Sequence, residues 1–138
     1  DATLLDACLG CFPDGVRLAV EPRHETWWVP EVRKVLEGHG AALCWADRHS
    51  RPLTPLWRTA DWAYLRLHEG RARPWPCYGR TALRTWVERL ADTWPDEADS
   101  FVYFNNDPGG AAVENAVTFA ALAKRAGRSV TRAIGPGG

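Results

Sequence analysis

One predicted strand carries, on one of its two faces, residues that could do chemistry. In the segment DWAYLRLHE, residues 61–69, Arg66 and His68 alternate with apolar residues and therefore share one side of the strand. Arginine can grip a carboxylate or a phosphate through two hydrogen bonds, and histidine can transfer a proton or bind a metal. A third group, Glu21, ends an earlier predicted strand, VRLAVE. Glu21 could act as a general base, a metal ligand, or the partner that neutralises a buried Arg66.

The segment YFNNDPGGAA places two amides and a glycine turn between a strand and a helix. Asn is unfavourable inside strands and costly to bury without partners, so Asn105 and Asn106 need an explanation. In a functional interpretation both amides bind a ligand, and Gly109 and Gly110 let backbone N–H groups approach its phosphate or carboxylate. Asp107 would then cap the helix. In a structural interpretation the amides tie the loop to its neighbours and close the fold.

Loops after the predicted strands add aromatic and charged residues around the same position. Trp27, Trp28, Trp75 and Tyr78 could stack against a base or a sugar ring, and Arg23 could contact an anionic group. These residue types are common at ligand-binding surfaces, because they stack and form forked hydrogen bonds. The loops therefore extend the candidate site.

Other polar and aromatic residues have structural interpretations. Asp47 ends a predicted strand and could join a carboxylate cluster with Glu21, although such a residue more often caps a turn. Trp86 and Trp94 fall on the apolar face of a helix and are expected in the core. No closely spaced ligand motif is present, so no metal site is predicted. The candidate catalytic residues are Glu21, Arg66, His68 and Asn105, and the candidate ligand-binding residues are Arg23, Trp27, Tyr78, Asn106, Asp107, Gly109 and Gly110.

The elements that must position these residues alternate between strands and helices, which is typical of a parallel sheet covered by helices. Polar residues recur on one face of several strands, near their C-terminal ends. A closed barrel explains this economically, because its strands carry polar residues at that end and apolar residues toward the helices. The predicted strands are 16–21, 41–47, 61–69 and 100–106, and the predicted helices are 2–12, a segment from 30 to about 38–40, a segment from 81 onward and 111–126.

Composition excludes several classes of protein. The chain has 138 residues and a formal net charge of zero, so net charge offers no argument for nucleic acid or an anionic membrane as a partner. No apolar run reaches the ~20 residues of a transmembrane helix. The only close cysteine pair, Cys8 and Cys11, lacks a second pair for zinc. We expect buried free thiols and a cytoplasmic location.

Several segments together resemble one known family. RLAVEPRHETWW, AYLRLHEG, TALRTWVERLAD and especially FVYFNNDPGGAAVENAVTFAAL are similar to domain of unknown function 72, the YecE-like family. The resemblance implies a TIM-type barrel, of which this chain supplies roughly the C-terminal half, about four parallel strands with flanking helices. Residues 1–134 would form this partial domain and residues 135–138 a flexible tail, with the N-terminal half of the domain missing.

Two functions remain open from the sequence, and no cofactor is implied. The first is a hydrolase or lyase that acts on a phosphate- or sugar-containing substrate at the C-terminal ends of the strands. The second is a non-catalytic module that binds a nucleotide or nucleic acid in the same pocket. A small-molecule or phosphate-containing ligand fits both, and neither involves a membrane.

Overall fold

The computed structural model describes residues 1–131, so the expected tail at 135–138 and the end of the expected domain at 134 lie outside the described residues. The described part is an α/β structure. Its helices are α1 (Ala2–Gly10), α2 (Pro30–His39), α3 (Arg80–Thr93) and α4 (Ala111–Arg125). Its strands are β1 (Ala19–Val20), β2 (Ala42–Leu43), β3 (Trp45–Arg48), β4 (Arg51–Pro52), β5 (Ala63–Leu67) and β6 (Ser100–Phe104).

The strands form a parallel arrangement that follows the order of the chain. Strand β1 pairs in parallel with β2, and the chain then continues through Cys44 into β3, which pairs in parallel with β5. Strand β5 pairs in parallel with β6. The prediction of parallel strands with flanking helices is therefore confirmed.

One hairpin was not predicted. Strand β4 pairs antiparallel with β3, in a segment between the predicted strands 41–47 and 61–69 for which the sequence analysis predicted no strand. His49 and Ser50 form the turn with φ angles of +57° and +62°. Non-glycine residues rarely adopt such angles, so the residue types gave no signal for this turn.

The larger core cluster lies between the strands β5 and β6 and the helices α3 and α4. Leu65 and Leu67 are fully buried there, and burying each such side chain stabilises the fold by ~1.5–3 kcal/mol. Trp86 and Trp94 belong to the same cluster, which confirms that they are core residues. A second cluster joins α1 and α2 to β1 and β2.

Burial alternates along β5 as the sequence predicted. Ala63, Leu65 and Leu67 are buried toward the helices, while Tyr64 and Arg66 are half-buried on the opposite face. We call this opposite face of β1, β2, β5 and β6 the open face. The alternation matters because it delivers charged side chains to a face that the core does not occupy.

One sequence-based expectation about the cysteines is corrected by the fold. All four cysteines are free, but Cys8 and Cys11 are exposed rather than buried, because the buried face of α1 carries Leu5 and Leu9. Within residues 1–131, no helix has the length and apolar character needed to cross a membrane.

Candidate functional site

The carboxylate of Glu21 is the centre of a polar cluster on the open face. Its Oε1 accepts a 2.6 Å hydrogen bond from a terminal nitrogen of Arg66, and its Oε2 lies 3.1 Å from Nε2 of His68. The side chain of Glu21 is only 15% exposed. We call Glu21, Arg66, His68, Asn105 and Cys44 the Glu21 cluster. A nearly buried carboxylate between a cation and an imidazole can hold both in fixed orientations.

Backbone hydrogen bonds between neighbouring strands align these side chains at the same end of the sheet. Cys44 N donates to Val20 O, and the N–H groups of His68 and Asn105 donate to the carbonyls of Asp47 and Leu67, near the ends of the neighbouring strands, at 2.8–2.9 Å. Every residue of the Glu21 cluster except Arg66 therefore directly follows the C-terminal end of a strand: Glu21 follows β1, Cys44 follows β2, His68 follows β5 and Asn105 follows β6. Parallel pairing in register explains why residues far apart in sequence meet here.

Asn105 joins the cluster through Arg66. The Oδ1 atom of Asn105 accepts from Nε of Arg66 at 3.4 Å, so the guanidinium connects an amide on one side to a carboxylate on the other. All four residues with predicted catalytic roles are thus brought together by the structure.

Cys44 is a member that sequence reasoning missed. Its Sγ lies 3.7 Å from Oε2 of Glu21, and burial, reinforced by the negative charge of Glu21, raises the pKa of the thiol to about 12. Cys44 is therefore a neutral thiol rather than a nucleophile near pH 7. Its position in an apolar segment gave no sign of this contact, which depends on the register between β1 and β2.

Arg23 is the most exposed charged side chain beside the cluster. Its side chain is 82% exposed, and a terminal nitrogen lies 3.9 Å from Oε1 of Glu21. Arg23 and Arg66 together outweigh the single carboxylate of Glu21. This local excess of positive charge can attract an anionic ligand.

Two tyrosines lie next to the cluster on the open face. The rings of Tyr64 and Tyr103 have centroids 5.2 Å apart and are tilted by 32°. Tyr103 is 48% exposed, so it offers an aromatic surface near Arg66, with which it pairs in register.

Asn106, in contrast, is structural. Only 1% of it is exposed, and its Nδ2 donates to Pro76 O and to Oδ1 of Asn115. Asn115 in turn bonds both the N–H and the C=O of Tyr78, at 2.8 and 3.1 Å. These bonds fasten the loop 70–79 to the start of α4. The Nδ2 donor of Asn106 therefore has a structural role, whereas its buried Oδ1 has no hydrogen-bond partner among residues 1–131, and the expected ligand-binding role of Asn106 stays a prediction.

The glycine turn is also more closed than the sequence suggested. A methyl group on Gly109 would come within 2.3 Å of the Trp75 ring, and the N–H of Gly110 donates to Asp107 O. Asp107 makes no capping hydrogen bond through its side chain, and the N-cap residue of α4 is Gly110, which has no side chain to cap the helix. The expected cap by Asp107 is therefore wrong, while an anion site at Gly109 and Gly110 stays a prediction.

The remaining predicted aromatic residues lie away from the cluster. Trp27 packs against the core cluster of α1 and α2, and Tyr78 is buried with its hydroxyl donating to Asp47 O. Asp47 itself is fully buried and accepts from Trp86 Nε1 and Ser50 N. It therefore caps the hairpin turn, and no carboxylate cluster with Glu21 forms.

No group of three or more His, Cys, Asp or Glu side chains in residues 1–131 is arranged to hold a metal ion. The arrangement instead suits proton transfer and anion binding. The site contains one carboxylate, one imidazole and two guanidinium groups.

Comparison with known proteins identifies the class and then the family. The fold is that of an α/β protein whose polar residues gather at the C-terminal ends of parallel strands. Residues 1–137 match the family described as "Protein of unknown function DUF72", and the chain belongs to that family.

Two solved structures of DUF72 family proteins are similar to this chain. One, from Enterococcus faecalis V583, has a TM-score of 0.72 and 20% identity over 89% of this chain. The other, from Thermotoga maritima MSB8, has a TM-score of 0.65 and 25% identity over 92% of this chain. The chain spans 52% of the length of each. A comparison with curated proteins gave no match.

Proposed function

We propose that the Glu21 cluster is the acid–base centre of a hydrolase or lyase that acts on a small phosphate- or sugar-containing substrate. One observation carries the proposal: a nearly buried carboxylate holds an arginine and a histidine at the ends of parallel strands. That end of an α/β sheet is where such folds place their active sites. A buried ion pair is weak evidence for stability alone, which favours a functional reason for this arrangement.

The contacts suggest a division of roles. Glu21 and His68 share a proton-transfer role, because Glu21 fixes the imidazole while Arg66 holds the carboxylate in place. Arg23, with its exposed guanidinium, would bind the anionic group of the substrate. Asn105 would orient Arg66.

The rest of the domain would complete the site. We propose that the full domain is a TIM-type barrel and that residues 1–134 form about half of it. The in-order parallel strands, and the 52% share of the related chains, support this view. In such a barrel, the other half would cover Tyr64 and Tyr103 and enclose the Glu21 cluster. Free cysteines fit a reducing compartment, and we propose a cytoplasmic location.

A second candidate is a non-catalytic module for nucleotides. The observation that favours it is the exposed ring of Tyr103 beside Arg66, which could stack a base while the guanidinium binds a phosphate. This candidate uses the same pocket and differs only in the absence of turnover.

The test begins with thermal unfolding of the protein with phosphates, nucleotides, sugars and sugar phosphates. A ligand at a hundredfold excess over its Kd stabilises the folded state by ~2.7 kcal/mol, which gives an easily measured shift. Each stabilising compound is then assayed for turnover with the wild type, Glu21→Gln and Arg23→Ala. Glu37→Gln is the matched control, because Glu37 is an exposed carboxylate paired with Arg33 on α2.

The outcomes separate the candidates. For an enzyme, Glu21→Gln lowers kcat by ~10²–10⁴-fold with little change in affinity. Arg23→Ala weakens binding, and Glu37→Gln behaves as wild type. Binding without turnover in any variant supports the module instead. Unchanged turnover in Glu21→Gln would refute the proposed acid–base role.

A further inference from the structure

A cleft of about 480 Å³ lies on the helix side of the sheet, away from the Glu21 cluster. It is formed where the β3–β4 hairpin, the loop 70–79 and the first three turns of α3 meet. We call it the Arg71–Arg89 cleft. Its polar lining comprises Ser50, Arg71, Thr81, Thr85 and Arg89.

Positive charge is concentrated in the part of the chain that forms this cleft. Residues 48–89 contain nine arginines and no lysine, against three acidic residues, which gives this segment a formal charge of +6. Of these arginines, Arg71 and Arg89 line the cleft, while Arg66 belongs to the Glu21 cluster on the open face. Because the net charge of the chain is zero, the remaining residues carry −6. The neutral total therefore conceals a strongly basic segment next to acidic ones. Such asymmetry is typical of proteins that bind polyanions.

The two arginines that line the cleft are available for a ligand. Neither Arg71 nor Arg89 forms an ion pair within 4.0 Å among residues 1–131, and Arg71 is exposed. The Arg89 guanidinium lies 4.5 Å from the centroid of the Trp86 ring, which fixes its position. Asp47, with which Arg89 interacts electrostatically, is buried and already accepts two hydrogen bonds.

An exposed indole stands beside the cleft, at the tip of the loop. Ala72 N donates to Cys77 O, so the chain reverses direction between these two residues, and residues 73–76 form the tip of the loop. Because Ala72 and Cys77 both line the cleft, the tip lies next to it. Trp75 at this tip is 54% exposed, although one part of its ring rests on Gly109. An arginine groove next to an exposed aromatic ring is the arrangement that binds single strands, whose bases are free to stack.

We propose that the Arg71–Arg89 cleft binds the phosphodiester backbone of single-stranded nucleic acid and that Trp75 stacks on an adjacent base. Arg71 and Arg89 contact phosphate oxygens, and the hydroxyls of Ser50 and Thr81 supply neutral hydrogen bonds, whereas the Thr85 hydroxyl already donates to Thr81 O. The cleft lies on the opposite side of the sheet from the Glu21 cluster and shares no lining residue with it. Duplex DNA would engage the arginines but offer no unstacked base to Trp75.

The experiment is fluorescence anisotropy with a labelled twelve-nucleotide single strand, as DNA and as RNA, at several salt concentrations. The protein variants are Arg71→Glu and Trp75→Ala. Arg125→Glu is the matched control, because Arg125 is exposed at the end of α4 and makes the same change of charge. Duplex of the same sequence, inorganic phosphate and pyrophosphate are the competitors. Circular dichroism verifies that each variant is folded.

The proposal predicts a salt-dependent Kd for the single strand and weaker competition by duplex and free phosphates. Arg71→Glu should weaken binding about tenfold and reduce the slope of log K against log salt by about 0.7. Trp75→Ala should weaken binding at least about fivefold and leave that slope unchanged. Absence of binding at low salt overturns the proposal. So does an equal loss in Arg125→Glu, or phosphate that competes as well as the single strand.

Discussion

Replacing Asn115 tests the most specific structural feature of the chain. Its side chain satisfies the N–H and the C=O of Tyr78 and also accepts from Asn106, all within a buried region. In Asn115→Ala the two backbone groups of Tyr78 lose these partners, whereas Asn106 still donates to Pro76 O. Each buried group without a partner costs ~1–3 kcal/mol, so the free energy of unfolding should fall by roughly 2–6 kcal/mol.

Urea-induced unfolding, followed by tryptophan fluorescence, measures this loss. The control is Val113→Ala, which lies on the same helix two residues away and is 58% exposed. We expect the control to change the free energy of unfolding by less than about 0.5 kcal/mol. A loss below about 1 kcal/mol in Asn115→Ala would show that these hydrogen bonds do not fasten the loop 70–79.

Three further predictions concern separate parts of the structure. Gly109→Ala should destabilise the protein more than Gly110→Ala, because both have positive φ but only the first would collide with Trp75; calorimetry compares them, and equal losses would contradict the packing. Burial raises the pKa of the Asp47 carboxyl above its usual value of 3.8, so the folded state binds this carboxyl's proton more tightly than the unfolded state does. The stability that the bound proton provides is therefore lost as pH rises from 3.8 through the raised pKa. Urea titrations of Asp47→Asn should lack that pH dependence. Cys44 should resist alkylation in the folded protein while the exposed thiols of Cys8 and Cys11 react, as peptide mapping would show.

The parts of the fold that follow from local pattern were predictable from the sequence. The alternation of apolar and polar residues along β5 predicted both its buried face and the position of Arg66 on the other face. Because a buried arginine needs a negatively charged partner, Glu21 could be named as a candidate for that partner. The observed 2.6 Å contact between Arg66 and Glu21 agrees with that reasoning. The spacing of apolar residues likewise indicated the buried face of α3, with Trp86 in the core.

Contacts between distant segments were not predictable in the same way. Asn106 follows a strand just as Asn105 does, but it is buried because the loop 70–79 folds back over it. The role of Cys44 depends on the register between β1 and β2, which no residue type specifies. The basic segment 48–89 was concealed because a total charge of zero says nothing about how charge is distributed.

The central claim is that the Glu21 cluster is an acid–base centre. It is tested most directly by measuring turnover of a compound that stabilises the folded protein, with the wild type and with Glu21→Gln. The proposed acid–base role of Glu21 and His68 predicts a fall in kcat of at least about 10²-fold, with KM nearly unchanged and Glu37→Gln fully active. Equal kcat values for the wild type and Glu21→Gln would contradict it. A panel of phosphates and sugars that produces no shift in unfolding temperature would also count against a ligand site at the Glu21 cluster.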